Sequence, residues 1–292
     1  MLIICYSDNY KYQWYHLFIK SITQCLEEKN ISYIFAYNES DALSKVKQQD
    51  DVVFFVSGVI DLSRCKTKKA LRTLKTKNIK MLIYNTEDII NCQMFKDKIT
   101  AFLDDKGFCV MDFSKKRLDS LIYTPHKIQL CPGYHPLFEK NDKKIIKEKN
   151  YDIICYGTMN DRRINLKNKL KEAGLNVVFK NYANEQEQYE DIMQSKIVLD
   201  TYYHGVTGID FFRCNFLAAN KIFFVHETPL EEDTDDDFLN TVVNASYEEL
   251  PQRCIEWLSK SQEERDSKAA EVYNLFKQKY NIKDQIPYEF FK

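Results

Sequence analysis

Short apolar runs alternate with longer stretches of helical periodicity along the whole chain. The run Asp51–Val56 (DVVFFV) is apolar throughout, which is typical of a central strand covered on both faces. Amphipathic stretches such as Tyr12–Lys29 follow these runs, and an alternation of strand and helix favours parallel sheets of the α/β class. The same pattern predicts a strand over Lys196–Tyr203, a helix over Asp210–Ala219 and a strand over Lys221–Glu227.

The alternation stops once, at the polar and charged segment Asn141–Asn150, which is the best candidate for a linker. A chain of 292 residues also exceeds the roughly 100–200 residues of one typical domain. We therefore expect two Rossmann-like domains, over residues 1–140 and 151–275, with the linker at 141–150. The last residues, 276–292, include the aromatic tail IPYEFFK, which is expected to pack against the protein.

Charge and hydropathy exclude several classes of protein. The 42 basic and 43 acidic side chains leave a formal net charge of -1, so we expect no nucleic acid as a partner. No stretch reaches the roughly 18 uncharged apolar residues of a membrane span, and the start lacks a signal-peptide pattern, so a cytoplasmic location is expected. The 9 cysteines are scattered and include no C-x-x-C pair, which favours buried thiols over disulfides or a zinc site.

A cluster of basic residues interrupts this even balance between Arg64 and Lys80. Most of its lysines and arginines lie in a helix predicted over about Lys66–Lys77, with Leu71 and Leu74 on the apolar side. Such a helix could rest on an anionic membrane or bind a polyanionic acceptor. The alternative is a solvated helix face, so peripheral membrane contact is a hypothesis at this point.

The stretch CYGTMNDRRINL places a glycine and two arginines where a strand gives way to a helix. Gly157 would let a ligand approach the backbone, and a helix N-terminus attracts anions. Arg162 and Arg163 are unfavourable in the first turn unless an anion such as a diphosphate lies between them. The alternative is a solvated arginine pair beside a cap formed by Asn160 or Asp161. Because the chain has neither G-x-G-x-x-G nor a P-loop, a nicotinamide cofactor or a phosphoryl-transfer ATPase is not expected.

Three blocks of the second half carry a family resemblance: YDIICYGTMNDRRINLKNKLKEAGLNVVF, IMQSKIVLDTYYH and DFFRCNFLAANKIFFVHE. Together they resemble the C-terminal domain of GT-B glycosyltransferases, and they are most similar to the group-1-like or CgeB-like family of bacteria and large viruses. The resemblance spans Tyr151–Tyr280, whereas the first 140 residues share only the order of strands and helices.

The resemblance implies a fold and an activity. The fold would be α/β, with two Rossmann-like domains facing across a cleft and a C-terminal helix crossing back, so that residues 276–292 pack on the first domain. The first domain would bind the acceptor and the second a nucleoside diphosphate sugar. The enzyme would move the sugar to a hydroxyl of a carbohydrate, protein or lipid-linked acceptor. Two alternatives stay open, namely a catalytically silent module that binds nucleotide or glycan, and a sugar-nucleotide epimerase.

The matching motifs also imply which residues bind the donor. Gly157 and Thr158 would lie against the diphosphate, and Arg162 or Arg163 would neutralise it, because a guanidinium offers paired donors to phosphate oxygens. Arg213 would lie on the helix that meets the donor.

Acidic residues and histidines complete the implied site. Asp210, where many relatives have Glu, and Glu227 would contact hydroxyls of the sugar or ribose, which makes both catalytic candidates. His226 replaces a serine of the family pattern and is assigned to the donor, although a partly buried histidine at a strand end explains it as well. His204 is also assigned to the donor, because ligands bind at the carboxyl ends of parallel strands. An ordinary loop residue is the alternative.

The remaining chemistry concerns the catalytic base and the charge of the diphosphate. An inverting transferase needs a base near the acceptor hydroxyl, and Asp8 or Glu87 could serve, with turn or capping roles as the alternative. The acidic run Glu231–Asp237 contains the Asp-x-Asp spacing of some metal-dependent transferases, but a solvated loop explains it better. We therefore expect a metal-independent enzyme that needs no cofactor beyond its sugar-nucleotide substrate.

Overall fold

The computed structural model describes residues 1–6, 13–57, 65–85, 103–140, 149–203, 209, 211–229 and 236–291. The chain divides into two compact units. The first comprises Met1–Pro132 together with Ile282–Lys292, and the second comprises Gly133–Asn281. Most of the predicted linker, Asn141–Asn150, lies outside the described residues.

The first unit is built on a parallel sheet with the strand order β2-β1-β3-β4-β5-β6. Its strands are β1 (Leu2–Tyr6), β2 (Tyr33–Ala36), β3 (Val52–Ser57), β4 (Lys80–Asn85), β5 (Phe108–Asp112) and β6 (His126–Gln129). Its described helices are α1 (Gln13–Glu28), α2 (Glu39–Lys45), α3 (Cys65–Thr76), α4 (Lys115–Ser120) and α11 (Ile282–Gln285).

The core of this unit follows from the apolar strands. β3 lies inside the sheet, and side chains such as Val53 and Phe55 are buried, as the uninterrupted apolar run predicts. Helix α2 begins at Glu39 because the Asn38 side chain accepts a hydrogen bond from the backbone N–H of Asp41. Ser40 is also a residue type that caps helices, but it lies within the first turn of this one.

The end of the chain belongs to the first unit. The amide oxygen of Gln285 accepts a hydrogen bond from the backbone N–H of Cys131 at 2.9 Å. The ring of Phe291 packs edge-on against Phe54 with a centroid separation of 5.4 Å. Polar and aromatic contacts thus hold the tail, and the chain returns to the first unit at Ile282.

The second unit has a parallel sheet with the strand order β11-β10-β9-β7-β8. Its strands are β7 (Tyr151–Tyr156), β8 (Val177–Lys180), β9 (Ser195–Asp200), β10 (Phe224–Glu227) and β11 (Val243–Ala245). Its described helices are α5 (Asp161–Glu172), α6 (Glu185–Met193), α7 (Phe211–Ala219), α8 (Asp236–Thr241), α9 (Leu250–Ser259) and α10 (Gln262–Lys279).

The strand order of the second sheet contains a reversal. From β7 the chain moves outward to β8, then crosses back to β9 on the other side of β7, and continues to β10 and β11. In parallel α/β sheets the connections then leave the two neighbouring strands in opposite directions, which opens a crevice at their carboxyl ends. That crevice lies at the ends of β7 and β9.

Asn220, between α7 and β10, has a different environment from the one that the sequence suggests. An asparagine between a helix and a strand is expected to lie in a solvated turn, but the side chain of Asn220 is buried. Its amide oxygen accepts from the backbone N–H of Lys140 at 2.8 Å, and its amide nitrogen donates to the carbonyl of Phe138 at 2.8 Å. Asn220 therefore ties the end of α7 to residues 138–140.

Two further observations bear on the class of protein. In the part of the chain that the structure describes, no helix has both the length and the apolar character needed to cross a membrane. The seven cysteines whose side chains are described are buried thiols outside any disulfide, in agreement with their expected role as small hydrophobes.

Candidate functional site

The loop after β7 contains a glycine whose position no other residue fits without strain. Gly157 has a φ of +117°, a conformation that side chains disfavour. A Cβ atom on Gly157 would lie 2.6 Å from Nη1 of Arg163 and 3.5 Å from Nη2 of Arg213. Two guanidinium groups thus approach this loop closely, whereas an anion site at the loop stays a prediction.

Arg163 joins the two loops that border the crevice. Its Nη1 donates to the carbonyl of Thr158 at 2.8 Å, and its Nη2 donates to the carbonyl of Thr201 at 2.7 Å. Its backbone N–H donates to the side chain of Asn160, which caps α5 as one of the two predicted candidates. Arg163 is only 3% exposed, so it connects the loops after β7 and β9 from inside the protein.

Arg162 is paired with the acid at the end of β10. Its Nη1 donates to Oε2 of Glu227 at 2.8 Å, and its Nη2 donates to Oε1. Glu227 is fully buried, and its Oε2 also accepts from the hydroxyl of Thr201 at 2.6 Å and from the backbone N–H of Tyr202 at 3.0 Å. The ring of Tyr247 lies 3.8 Å from the Arg162 guanidinium carbon. The carboxylate is therefore enclosed, whereas the arginine side chain remains 19% exposed.

A second buried acid holds the third arginine. Asp200, the last residue of β9, accepts from Nη1 of Arg213 at 2.5 Å and lies 2.9 Å from Nδ1 of His226. Burial by itself would raise the pKa of Asp200, but Arg213 and His226 outweigh it and hold that pKa below its ordinary value. The Arg213 side chain is 15% exposed and its guanidinium carbon lies 4.9 Å from the Tyr156 ring centroid. Again the carboxylate is enclosed and the guanidinium is partly open.

Asp200, Cys214 and His226 also form the one described group with metal-ligand geometry. One ligand atom from each lies within 4.8 Å of the others, and all three residues are buried. Their mutual contacts account for the same atoms without an ion, since Sγ of Cys214 lies 3.4 Å from Oδ2 of Asp200. Arg213 already supplies a cation to the carboxylate.

The first unit has a buried acid at an equivalent strand end. Asp112 closes β5 and accepts three bonds from Arg117 at 2.6–3.1 Å. Asn85, at the end of β4, donates to the same carboxylate at 2.6 Å, and the backbone N–H of Ser114 donates at 2.8 Å. Both Asp112 and Arg117 are 2% exposed in their side chains, so this pair is closed on all sides.

The basic cluster of the sequence forms part of the first unit. Lys68, Lys69 and Arg72 on α3 line a depression of about 460 Å³ together with Thr73 and Thr76. The apolar residues of this helix, Ala70, Leu71 and Leu74, are buried in the core. Contact with an anionic surface would therefore rest on charge alone, and it stays a prediction.

The structure brings seven of the predicted site residues to the carboxyl edge of the second sheet: Gly157, Thr158, Arg162, Arg163, Arg213, His226 and Glu227. The predicted Asp8, His204 and Asp210 lie outside the described residues, as do Glu87 and most of the acidic run. Sequence reasoning missed Asp200, Thr201, Tyr202 and Tyr247. The available signal was their position, because each follows or ends a strand at the ligand-binding edge.

Comparison with known proteins identifies the fold. No family model matches the sequence, and no curated protein matches it. Among solved structures, a T4 phage BGT mutant in complex with UDP-glucose is similar with a TM-score of 0.57 and 14% identity, over 100% of this chain and 97% of that one. The DNA modifying enzyme β-glucosyltransferase has a TM-score of 0.54 and 13% identity, over 100% and 97% of the two chains. The N-terminal domain of Candida albicans trehalose-6-phosphate phosphatase has a TM-score of 0.60 and 9% identity, over 97% and 94%.

The chain therefore has the GT-B fold, with two Rossmann-like α/β domains, as the sequence predicts. At identities of 9–14% this likeness concerns the fold. The finer resemblance to the group-1-like or CgeB-like family stays a prediction.

Proposed function

We propose that this protein is a glycosyltransferase that binds a nucleoside diphosphate sugar at the carboxyl edge of its second sheet. The observation that carries the proposal is the pair of partly exposed arginines, Arg162 and Arg213, each oriented by a buried carboxylate. Arg213 approaches the Gly157 loop, and Arg162 lies in the first turn of the helix that follows this loop, at the reversal of the strand order. The T4 phage structure with UDP-glucose supports this class of donor, because the two chains share the fold.

Within this proposal the residues divide into two groups. Arg162, Arg213 and Thr158 would meet the diphosphate, since an exposed hydroxyl and partly exposed guanidinium groups can donate to phosphate oxygens. Arg163 would hold the loops after β7 and β9 in place through its bonds to their carbonyl groups. Glu227, whose two oxygens are occupied by Arg162, Thr201 and Tyr202, would orient Arg162. This arrangement supports an indirect role for Glu227 more than the contact with sugar hydroxyls that the family resemblance implies.

In the proposed chemistry these arginines and the N-terminus of α5 neutralise the charge of the diphosphate, and no metal ion takes part. Asp8 as the base and Asp210 as a contact to the sugar remain predictions. The proposed acceptor is a hydroxyl of a carbohydrate, a protein or a lipid-linked molecule.

The direct experiment is a panel of nucleotide sugars that contain UDP, GDP, ADP or dTDP, measured by thermal shift and by release of nucleoside diphosphate. A donor at 100 times its Kd should stabilise the fold by about 2.7 kcal/mol. Acceptors should include glycans, lipid-linked sugars and DNA, since one structural neighbour is described as a DNA modifying enzyme. Binding without turnover would favour the silent module, and interconversion of donors without an acceptor would favour the epimerase.

A matched pair of variants tests the location of the site. Thr158→Glu places a carboxylate on an exposed residue of the Gly157 loop, where it would repel a diphosphate. Ser267→Glu adds the same charge to an exposed position of α10 and serves as the control. Donor affinity should fall at least tenfold in Thr158→Glu only, and equal affinities for the two variants would count against this site.

A further inference from the structure

A line of polar side chains runs through the interior of the second unit. The Tyr202 hydroxyl lies 3.1 Å from Nε2 of His226, whose Nδ1 lies 2.9 Å from Oδ2 of Asp200. The other oxygen of Asp200 accepts from Nη1 of Arg213 at 2.5 Å. His226 and Asp200 face each other because they are register partners on adjacent strands. The line thus connects a buried tyrosine to a partly exposed arginine.

The hydrogen-bonding capacity of these groups indicates one tautomer of His226. A proton on Nδ1 lets His226 donate to Asp200, and the bare Nε2 can then accept from the Tyr202 hydroxyl. The opposite tautomer would direct a lone pair of Nδ1 at a carboxylate oxygen, which is repulsive. A proton on Nδ1 therefore satisfies the bond to Asp200, while Arg213 balances the charge of that carboxylate.

His226 itself cannot reach a ligand in this arrangement. It is fully buried, and its ring packs edge-on against Phe238 at 5.3 Å and Tyr202 at 5.7 Å between centroids. The group at the far end of the line is Arg213, which approaches the Gly157 loop. The connection from His226 to Arg213 runs through Asp200.

Tyr202 connects the same line to the other arginine. Its backbone N–H donates to Glu227 at 3.0 Å, and its carbonyl accepts from Nη1 of Arg162 at 3.0 Å. Fixing the Tyr202 side chain on His226 therefore also fixes the backbone that Arg162 contacts. Both partly exposed arginines thus contact a member of this buried line, Arg162 at Tyr202 and Arg213 at Asp200.

We propose that His226 and Tyr202 are positioning residues that hold Asp200, and through it Arg213, in the orientation that receives the diphosphate of the donor. This inference rests on the proposed function for the identity of the ligand. It replaces the direct contact between His226 and the donor that the sequence pattern suggests. The geometric part, that His226 orders Arg213, stands without any ligand.

Two substitutions at one position separate the two contacts of the imidazole. His226→Asn retains an N–H donor close to the position of Nδ1, which preserves the bond to Asp200. His226→Gln places its amide group near the position of Nε2, which preserves only the contact with Tyr202. The expected result is donor affinity within about threefold of wild type for His226→Asn and a loss of about tenfold for His226→Gln, as for one charge-assisted hydrogen bond. The turnover number at saturating donor should change less than the Kd.

Stability and a third variant complete this comparison. Melting temperatures of the Asn and Gln variants should be similar, because both bury an amide in place of the imidazole. Tyr202→Phe removes only the hydroxyl and should weaken donor binding by a smaller factor than His226→Gln. Equal donor affinities of the Asn and Gln variants, together with ordered Arg213 in both, would overturn the inference.

A measurement without donor tests the geometric part directly. Arginine side-chain NMR, with the Arg213 signals assigned from Arg213→Lys, reports whether its guanidinium is held. Resolved Nη signals should appear in wild type and in His226→Asn and should be lost in His226→Gln. If no nucleotide sugar binds the wild type but this pattern appears, the proposed function fails and the positioning role stands. If Arg213 is equally ordered in all three proteins, the positioning role is wrong whatever binds.

Discussion

Each unit of this protein ends a parallel strand with a buried aspartate that holds an arginine, and the two pairs differ in what they leave open. Asp112 and Arg117 in the first unit are both enclosed, with side chains 2% exposed. In the second unit Asp200 is 3% exposed, whereas Arg213 is 15% exposed. The same two residue types thus form a closed internal contact in one sheet and an oriented, accessible cation in the other.

The path of the chain explains this difference. Arg117 lies five positions after Asp112 in the helix that directly follows β5, so its guanidinium folds back onto the strand end and stacks on Phe113 at 4.2 Å. Arg213 lies thirteen positions after Asp200, in the first turn of α7, and its guanidinium both bonds Asp200 and approaches the Gly157 loop. A closed pair contributes to stability, whereas a half-open pair also presents charge to a ligand.

The largest expected effect is the loss of the closed pair. Asp112→Ala leaves the Arg117 guanidinium buried without its carboxylate, which should lower the free energy of unfolding by about 3–5 kcal/mol. Asp105→Ala breaks the partly exposed pair with Lys75 and should cost about 0–1 kcal/mol. Urea denaturation of both variants measures the difference. Similar losses would mean that the buried pair contributes no more than an exposed one.

The next effect concerns the loop that the open pair approaches. Gly157→Ala combines a φ of +117° with a Cβ atom 2.6 Å from Arg163, whereas Gly174→Ala has a φ of +82° and no atom within 4 Å. We expect Gly157→Ala to cost about 3 kcal/mol and Gly174→Ala about 1 kcal/mol of unfolding free energy. Donor affinity, measured by calorimetry, should fall only in Gly157→Ala. A larger loss for Gly174→Ala would show that the close approach of Arg163 is easily relieved.

Acid should remove the contribution of the half-open pair. The pKa of Asp200 is lower in the folded protein than in the unfolded chain, so its stabilisation is present above about pH 4, the ordinary aspartate pKa, and is lost as the pH falls further. Asp200→Asn should cost about 2 kcal/mol at pH 7. That difference from wild type should shrink towards pH 3 in urea denaturation, whereas a difference independent of pH would assign the effect to packing.

Much of this fold is predictable from the sequence, because apolar runs and amphipathic stretches report directly on parallel strands and the helices between them. The short elements α4 and β11 have too few residues for a periodic signal and are missed. Most predicted elements end within a few residues of the observed ones. Two strands differ by three residues: β9 is predicted to reach Tyr203 and ends at Asp200, and β10 is predicted from Lys221 and begins at Phe224.

The early end of β9 bears on what the sequence could not reveal about the site. Thr201, Tyr202 and Tyr203 have high strand propensity, so local preference extends β9 through residues that form a loop. Gly157 and Glu227 are recognisable from their own motifs. Asp200 and Tyr202 acquire their roles only from partners 13 to 26 positions away, across neighbouring strands and helices. Such pairings depend on register, which one sequence does not determine.

The smallest expected effect tests whether the buried line of the second unit is instead a metal site. Cys214→Ser replaces the thiol beside Asp200 with a hydroxyl that can make the same contact, so unfolding free energy should change by less than about 1 kcal/mol. Arg213 already neutralises Asp200, and a second cation at that carboxylate would be repelled. Elemental analysis of the purified protein should detect no stoichiometric metal, and EDTA should leave the melting temperature unchanged. One zinc ion per chain in the wild type that is lost in Cys214→Ser would reverse this conclusion, because hydrogen bonds alone would then not explain the three ligand atoms.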